Sequence, residues 1–150
     1  MNTQYPAWPP HVTVATVVER DGRFLVVEEE AEGRVVINQP AGHLEAAESL
    51  PDAALRETRE ETGWQVELQG IVGVSLYEAA NGTTYYRTSF YARPVAEIPG
   101  AVLDREIIRP LWLSRDQLLE RSQDLRSPLV LATIDQYLAG HRYPLSLIYG

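Results

Sequence analysis

From Val12 to Glu19 the chain is rich in valine and threonine, the β-branched, half-apolar pattern of a strand. Asp21-Gly22-Arg23 turns it and Phe24 to Glu28 returns, which predicts a hairpin. Val35 to Ile37 is a short apolar run that leads into Asn38-Gln39-Pro40-Ala41-Gly42, where proline and glycine break regular structure. A helix follows with both ends marked: Ser49 as N-cap, Pro51 in the first turn, Asp52 at the capping-box position and Gly63 as the C′ residue. Beyond it, Gln65 to Leu68 and Ile71 to Tyr77 read as two strands, and Asn81-Gly82 turns the chain into a third, Thr84 to Arg93. Ile107 to Leu113 is a further strand. Ser114, with Gln117 three residues on, caps a second helix, and a third runs from Leu129 to Leu138 and stops at Gly140. Leu55, Leu118, Leu119, Leu129 and Val130 are expected in the core. Strands and helices in this mixed order predict an α+β sandwich, a mixed sheet between helical layers.

At 150 residues with 45% hydrophobic content, the chain is expected to be one domain with one core, residues 1–150. Zero cysteines exclude disulfides and thiolate metal sites, so any metal is held by oxygen or imidazole. Thirteen basic against 21 acidic residues leave a net charge of −8. That balance argues against duplex nucleic acid as a partner, which needs a basic surface. It also repels an anionic substrate unless a bound cation and local arginines reverse the field. The opening MNTQYPAWPPHVTV lacks the basic start and apolar stretch of a signal peptide, and no apolar run approaches the ~20 residues of a membrane span. The expectation is a cytoplasmic protein, monomeric or weakly dimeric.

Charge changes the picture most inside the first helix. Glu57, Glu60 and Glu61 share one face, as i,i+3 and i,i+4 pairs, each costing about 0.2–0.5 kcal/mol in an isolated helix. They also crowd the last turns, where the helix dipole disfavours anions. Such a run is often only solvated surface, with Arg56 paired to Glu60 and Arg59 shielding the rest. A hard divalent cation answers the same crowding: Mg²⁺, with Mn²⁺ as its substitute, takes oxygen ligands and bridges carboxylates to a substrate's phosphates.

The spacing around the acids decides between these readings. Gly42, five residues, Glu48, seven residues and then Arg56-Glu57-Thr58-Arg59-Glu60-Glu61-Thr62-Gly63-Trp64 resembles the Nudix box, G-x5-E-x7-R-E-U-x-E-E-x-G-U, with U bulky and apolar. Thr58 departs mildly at the first U, keeping a β-branched shape. Outside the box, PHVTVATVV (Pro10 to Val18), FLVVEE (Phe24 to Glu29), NQPAGHLEA (Asn38 to Ala46), LRSPLV (Leu125 to Val130) and RYPL (Arg142 to Leu145) look like the NudJ-type Nudix phosphatases. Ile71 to Glu106 matches least.

The resemblance implies a Nudix fold, a mixed sheet between helices (α/β/α), and hydrolysis of phosphoanhydrides. It implies Glu57, Glu60 and Glu61 as metal ligands with the Gly42 carbonyl, Glu48 near the metal or orienting the helix, and Arg56 as an orienting partner of the glutamates. The general base is Glu60 or Glu61, or an acid beyond the box among Glu78, Asp104 and Glu106, of which Glu106 is favoured. Gln39 and His43, beside the box glycine, and Arg87, which shares a strand face with Tyr85, are assigned to the substrate. This subfamily is associated with removing a terminal phosphate from nucleoside tri- and diphosphates and from a hydroxymethylpyrimidine pyrophosphate. Two rivals stand beside it: a Nudix pyrophosphohydrolase cutting dinucleotides or nucleotide sugars, and a non-catalytic Nudix-like ligand sensor.

Overall fold

The structure, a computed structural model, describes residues 8–150; the first seven residues, on which the signal-peptide reading partly rests, lie outside it. The elements run β1 (His11–Arg20), β2 (Arg23–Ala31), β3 (Arg34–Asn38), β4 (Ala41–His43), α1 (Leu50–Thr62), β5 (Trp64–Glu78), β6 (Thr84–Glu97), β7 (Ile107–Ser114), α2 (Arg115–Glu120) and α3 (Leu129–Leu138). The seven strands form a mixed sheet with the path β3-β2-β1-β6-β5, β4 joined to β1 and β7 to β2. β1 and β6 run parallel, and the other pairs are antiparallel. The expected α/β/α sandwich is the fold observed.

Successive strand residues point to opposite faces. On β1, Val14 packs with Phe90, Ile71, Ala53 and Ala54 under α1, while Val17 packs with Phe24, Leu118 and Ile134 under α2 and α3. The two faces of the sheet thus carry separate cores, with a third cluster of Val18, Leu25, Val66 and Ala92. Small residues let α1 approach closely: Ala53, Ala54 and Thr58 are all buried against the strands. Thr58 manages its polar atom by donating its hydroxyl to the Ala54 carbonyl at 2.7 Å, so the departure at this box position leaves no unsatisfied group.

Several sequence expectations shift. The two strands after α1 are one, β5, whose pairing with β6 is interrupted by register shifts. Such irregularities bend a strand without ending it. Only half of the first capping box forms: Ser49 accepts from the Asp52 N–H at 3.2 Å. Aspartate is a methylene shorter than the glutamate that closes such a box, whereas Ser114 and Gln117 at α2 make both bonds. Leu55 and Leu119 are 37% and 49% exposed, against the core placement expected for them. Leu55 falls off the stripe that α1 presents to the sheet, and α2 is too short to bury more than Leu118. Leu129 is half-buried, and Val130 is in the core.

One irregularity of the sheet makes room for a site. Asp21 and Gly22, both at positive φ, form a tight turn, yet β1 and β2 pair only beside it, at Glu19 with Phe24 and Arg20 with Arg23. Farther along, β1 instead takes β4 as its neighbour, through Thr13 with His43, Val14 with Gly42 and Ala15 with Ala41. The sheet splits there, and the loop expected to carry chemistry becomes a short strand in the gap.

Candidate active site

A cleft of about 1090 Å³ opens at the split. Ala41, Gly42 and His43 of β4 line it, with Glu57 and Glu61 of α1, Glu29 of β2, Tyr85 and Arg87 of β6, and Asp104 and Glu106 from the connection between β6 and β7. Carboxylate oxygens of Glu57, Glu61 and Asp104 lie within 4.8 Å of one another. The first two meet because i,i+4 residues share a helical face. Asp104 arrives through the backbone: its N–H donates to the Glu60 carbonyl at 2.9 Å, and the Ile98 N–H donates to the Gly63 carbonyl at 2.8 Å. The long connection thereby satisfies carbonyls that the end of α1 would otherwise leave open.

Burial and mutual repulsion raise the acids' proton affinity. Glu61 is 7% exposed, and its pKa is pushed up to about 9, first by burial, then by Glu29, Glu57 and Asp104, against one N–H bond from Ala41 at 2.8 Å. Burial also raises Glu57, with Arg56 opposing, and raises Asp104, with Glu60 and Glu106 adding to the effect. Three crowded hard oxygen donors fit a hard divalent cation, which would relieve the repulsion that raises their proton affinity. Gly42 belongs to the same contact. A Cβ there would stand 2.2 to 2.5 Å from the Glu57 carboxylate, so any side chain would displace it.

Arg56 ties the acids to the scaffold. Its Nε and Nη2 donate to the two Glu48 oxygens at 2.6 and 3.0 Å, and its Nη1 to Glu57 at 2.8 Å and Glu60 at 3.2 Å. A further bond from Nη2 to the His43 carbonyl, 3.1 Å, links the helix to β4. These bonds hold Arg56 charged and pull Glu48 below the usual carboxylate range. Glu60 is outside the group of three and faces Arg56.

The other sequence candidates scatter. Glu106 is exposed on the wall of the cleft, and Glu78 is exposed at the end of β5. His43 sits at the rim, its Nε2 2.9 Å from the Nδ1 of His11 and its ring edge-on to Tyr85. Gln39 is fully buried with both ends of its amide engaged, donating to the Val130 carbonyl and accepting from Arg87, each at 2.7 Å. Sequence reasoning missed Glu29 and Arg126, which pair at 2.7 Å in the cleft. No local signal marks them, because residues 29 and 126 meet only through the fold.

A family model described as NUDIX domain matches residues 8–133. Phosphatase NudJ of Escherichia coli (strain K12) is 44% identical over 139 residues, 93% of this chain and 90% of that protein. Phosphatase NudJ of Shigella flexneri matches to the same extent. Among solved structures, a NUDIX hydrolase from Nitrosomonas europaea superposes with a TM-score of 0.93 at 42% identity, covering 95% of this chain and 97% of that one. The E. coli ORF135 protein, at 22% identity and a TM-score of 0.67 over 91% of this chain and 94% of its own, shares the fold. A family match over most of the chain, a curated relative at 44% identity and a superposing solved hydrolase agree: the chain belongs to the Nudix family of hydrolases, which act on phosphoric anhydrides.

Proposed function

We propose that this protein is a Mg²⁺-dependent phosphatase that hydrolyses the anhydrides of nucleoside tri- and diphosphates, and of hydroxymethylpyrimidine pyrophosphate-like substrates, with release of orthophosphate. The observation that carries the reading is the convergence of Glu57, Glu61 and Asp104 in the cleft. These three would hold the cation, and the family resemblance adds the Gly42 carbonyl and Glu60. When bound, a divalent cation neutralises phosphate oxygens and acidifies the water beside them. Arg56 keeps Glu57 and Glu60 in place through Glu48, so positioning is settled before substrate enters. Asp104, whose carboxylate is made more basic than usual by burial, is the candidate to accept a proton from the attacking water; Glu106, favoured from the sequence, lies on the same wall as the second candidate.

Release of a terminal phosphate is supported by the 44% identity to proteins named Phosphatase NudJ. Incubation with GTP and Mg²⁺, with products resolved by chromatography, tests it. Orthophosphate is expected; pyrophosphate with GMP, or no turnover, refutes it. The same reading takes residues 1–150 as one domain that works in the cytoplasm as a monomer or weak dimer. Among the described residues, no helix is long and apolar enough to cross a membrane.

A further inference from the structure

The acidic half of the cleft would hold the cation; what meets the substrate on the other side is decided by β6. Arg87 comes from the middle of that strand and is 5% exposed, yet it lines the same cleft as the acids. Among the described residues it has no carboxylate partner. Arg126, also in the cleft, is neutralised by Glu29 at 2.7 Å. The Nη2 of Arg87 donates to the Gln39 Oε1, and its Nε is buried without any partner. Asn38 Oδ1, on the same lining, is likewise unpartnered. A buried guanidinium without a counter-charge is costly, and in a chain with 21 acidic residues a carboxylate neighbour was available. Its persistence points to an anion that arrives from outside.

The register gives that anion a position. Arg87 lies opposite Thr13 on β1, and Thr13 lies opposite His43 on β4, next to Gly42 and the Glu57 carboxylate. All three side chains line the cleft. Two strand spacings of about 4.8 Å separate the Arg87 and His43 backbones, ~10 Å in all, and the arginine side chain reaches across part of this. That span suits neighbouring phosphates of one polyphosphate chain. Burial draws the Arg87 pKa down to about 10, which still leaves the group charged at neutral pH.

We propose that Arg87 binds the substrate phosphate next to the one held at the acidic cluster, and that Gln39 is a positioning residue that aims the guanidinium. Gln39 can do so because its own orientation is forced: its amide N–H₂ is committed to the Val130 carbonyl at the start of α3, which leaves Oε1 facing Arg87. The substrate class that follows is a di- or triphosphate, with a single phosphate group bound poorly. This rests on the reading of the cleft as a phosphoanhydride site, because the phosphate at the acidic cluster needs a cation between it and the carboxylates.

Pyrophosphate and inorganic phosphate, each titrated into the full chain with Mg²⁺ present and followed by calorimetry and ³¹P NMR, separate the two questions. The parent is expected to bind pyrophosphate more tightly than phosphate. Loss of charge-assisted hydrogen bonds in R87Q is expected to weaken pyrophosphate ~10–100-fold, while Mg²⁺ still raises the melting temperature as in the parent. Q39E, which places a carboxylate on the guanidinium, is expected to weaken pyrophosphate by a similar factor. If R87Q does not fold, R87K answers in its place, because an ammonium lacks the planar fork with which one guanidinium bonds Gln39 and a phosphate in fixed geometry. Pyrophosphate affinity within twofold of the parent in the folded Arg87 variant overturns the proposal. So does an equal loss in R126Q, which would assign binding to the diffuse field of the cleft. Loss of GTP turnover in the parent, with pyrophosphate binding intact, would instead refute the catalytic reading and leave this one standing.

Discussion

Replacing Glu61 with glutamine removes a charge that the fold resists and keeps the shape. In the unfolded chain this carboxyl has its ordinary pKa of 4.5, and in the folded, metal-free protein the value is about 9. Below pH 4.5 both states hold the proton and the group favours neither. Between the two values the unfolded chain has released its proton and the folded protein has not, so stability falls as pH rises. Each pH unit in that window costs about 1.4 kcal/mol, which from pH 5 to pH 8 amounts to on the order of 4 kcal/mol. Glutamine escapes the penalty. Its amide oxygen can still accept the Ala41 N–H, and its new N–H₂ faces the acids that crowded Glu61. Urea unfolding in EDTA is therefore expected to show Glu61→Gln close to the parent at pH 5 and more stable than it by several kcal/mol at pH 8, while turnover is lost. Added Mg²⁺ should stabilise the parent at pH 8 far more than the variant. A stability difference that stays constant from pH 5 to pH 8 would refute the argument that burial keeps this acid protonated.

Gly42→Ala should fold with a cost of about 1–3 kcal/mol, the usual range for overpacking, and lose at least about tenfold in kcat because its Cβ evicts the Glu57 carboxylate; thermal melts and phosphate release measure the two separately. Arg56→Ala leaves Glu48, Glu57 and Glu60 without their shared cation and should lower stability in urea unfolding in EDTA; an unchanged urea midpoint would show that these pairs are merely solvated. Asp104→Asn is expected to abolish turnover and weaken Mg²⁺-induced stabilisation, whereas Glu106→Gln should keep turnover within about tenfold, the general-base share being carried by Asp104; the opposite ranking would move the base to Glu106.

Much of the site is legible in the sequence because it is local. Caps at Ser49 and Gly63 determine where α1 begins and ends, and the helical period then puts Glu57 and Glu61 on one face whatever surrounds them. The Asp21-Gly22 turn and the valine-rich β1 likewise follow from short-range sterics. Contacts between residues far apart in the chain carry no such signature. Asp104 joins the acids only because the connection between β6 and β7 docks on the open carbonyls of α1, and nothing in its neighbours' identities distinguishes it from Glu106 or Glu78. Arg87 could be placed on a strand face, but its burial and its bond to Gln39, 48 positions away, needed the sheet to assemble. Leu55 and Leu119 are exposed for the same reason: apolarity reports what a side chain prefers, and only packing decides which helix face is covered. Short-range chemistry is enough to lay a row of carboxylates along a well-capped helix. Which third acid completes the group and which buried arginine faces it depend on how a split sheet brings separate strands and loops to one cleft.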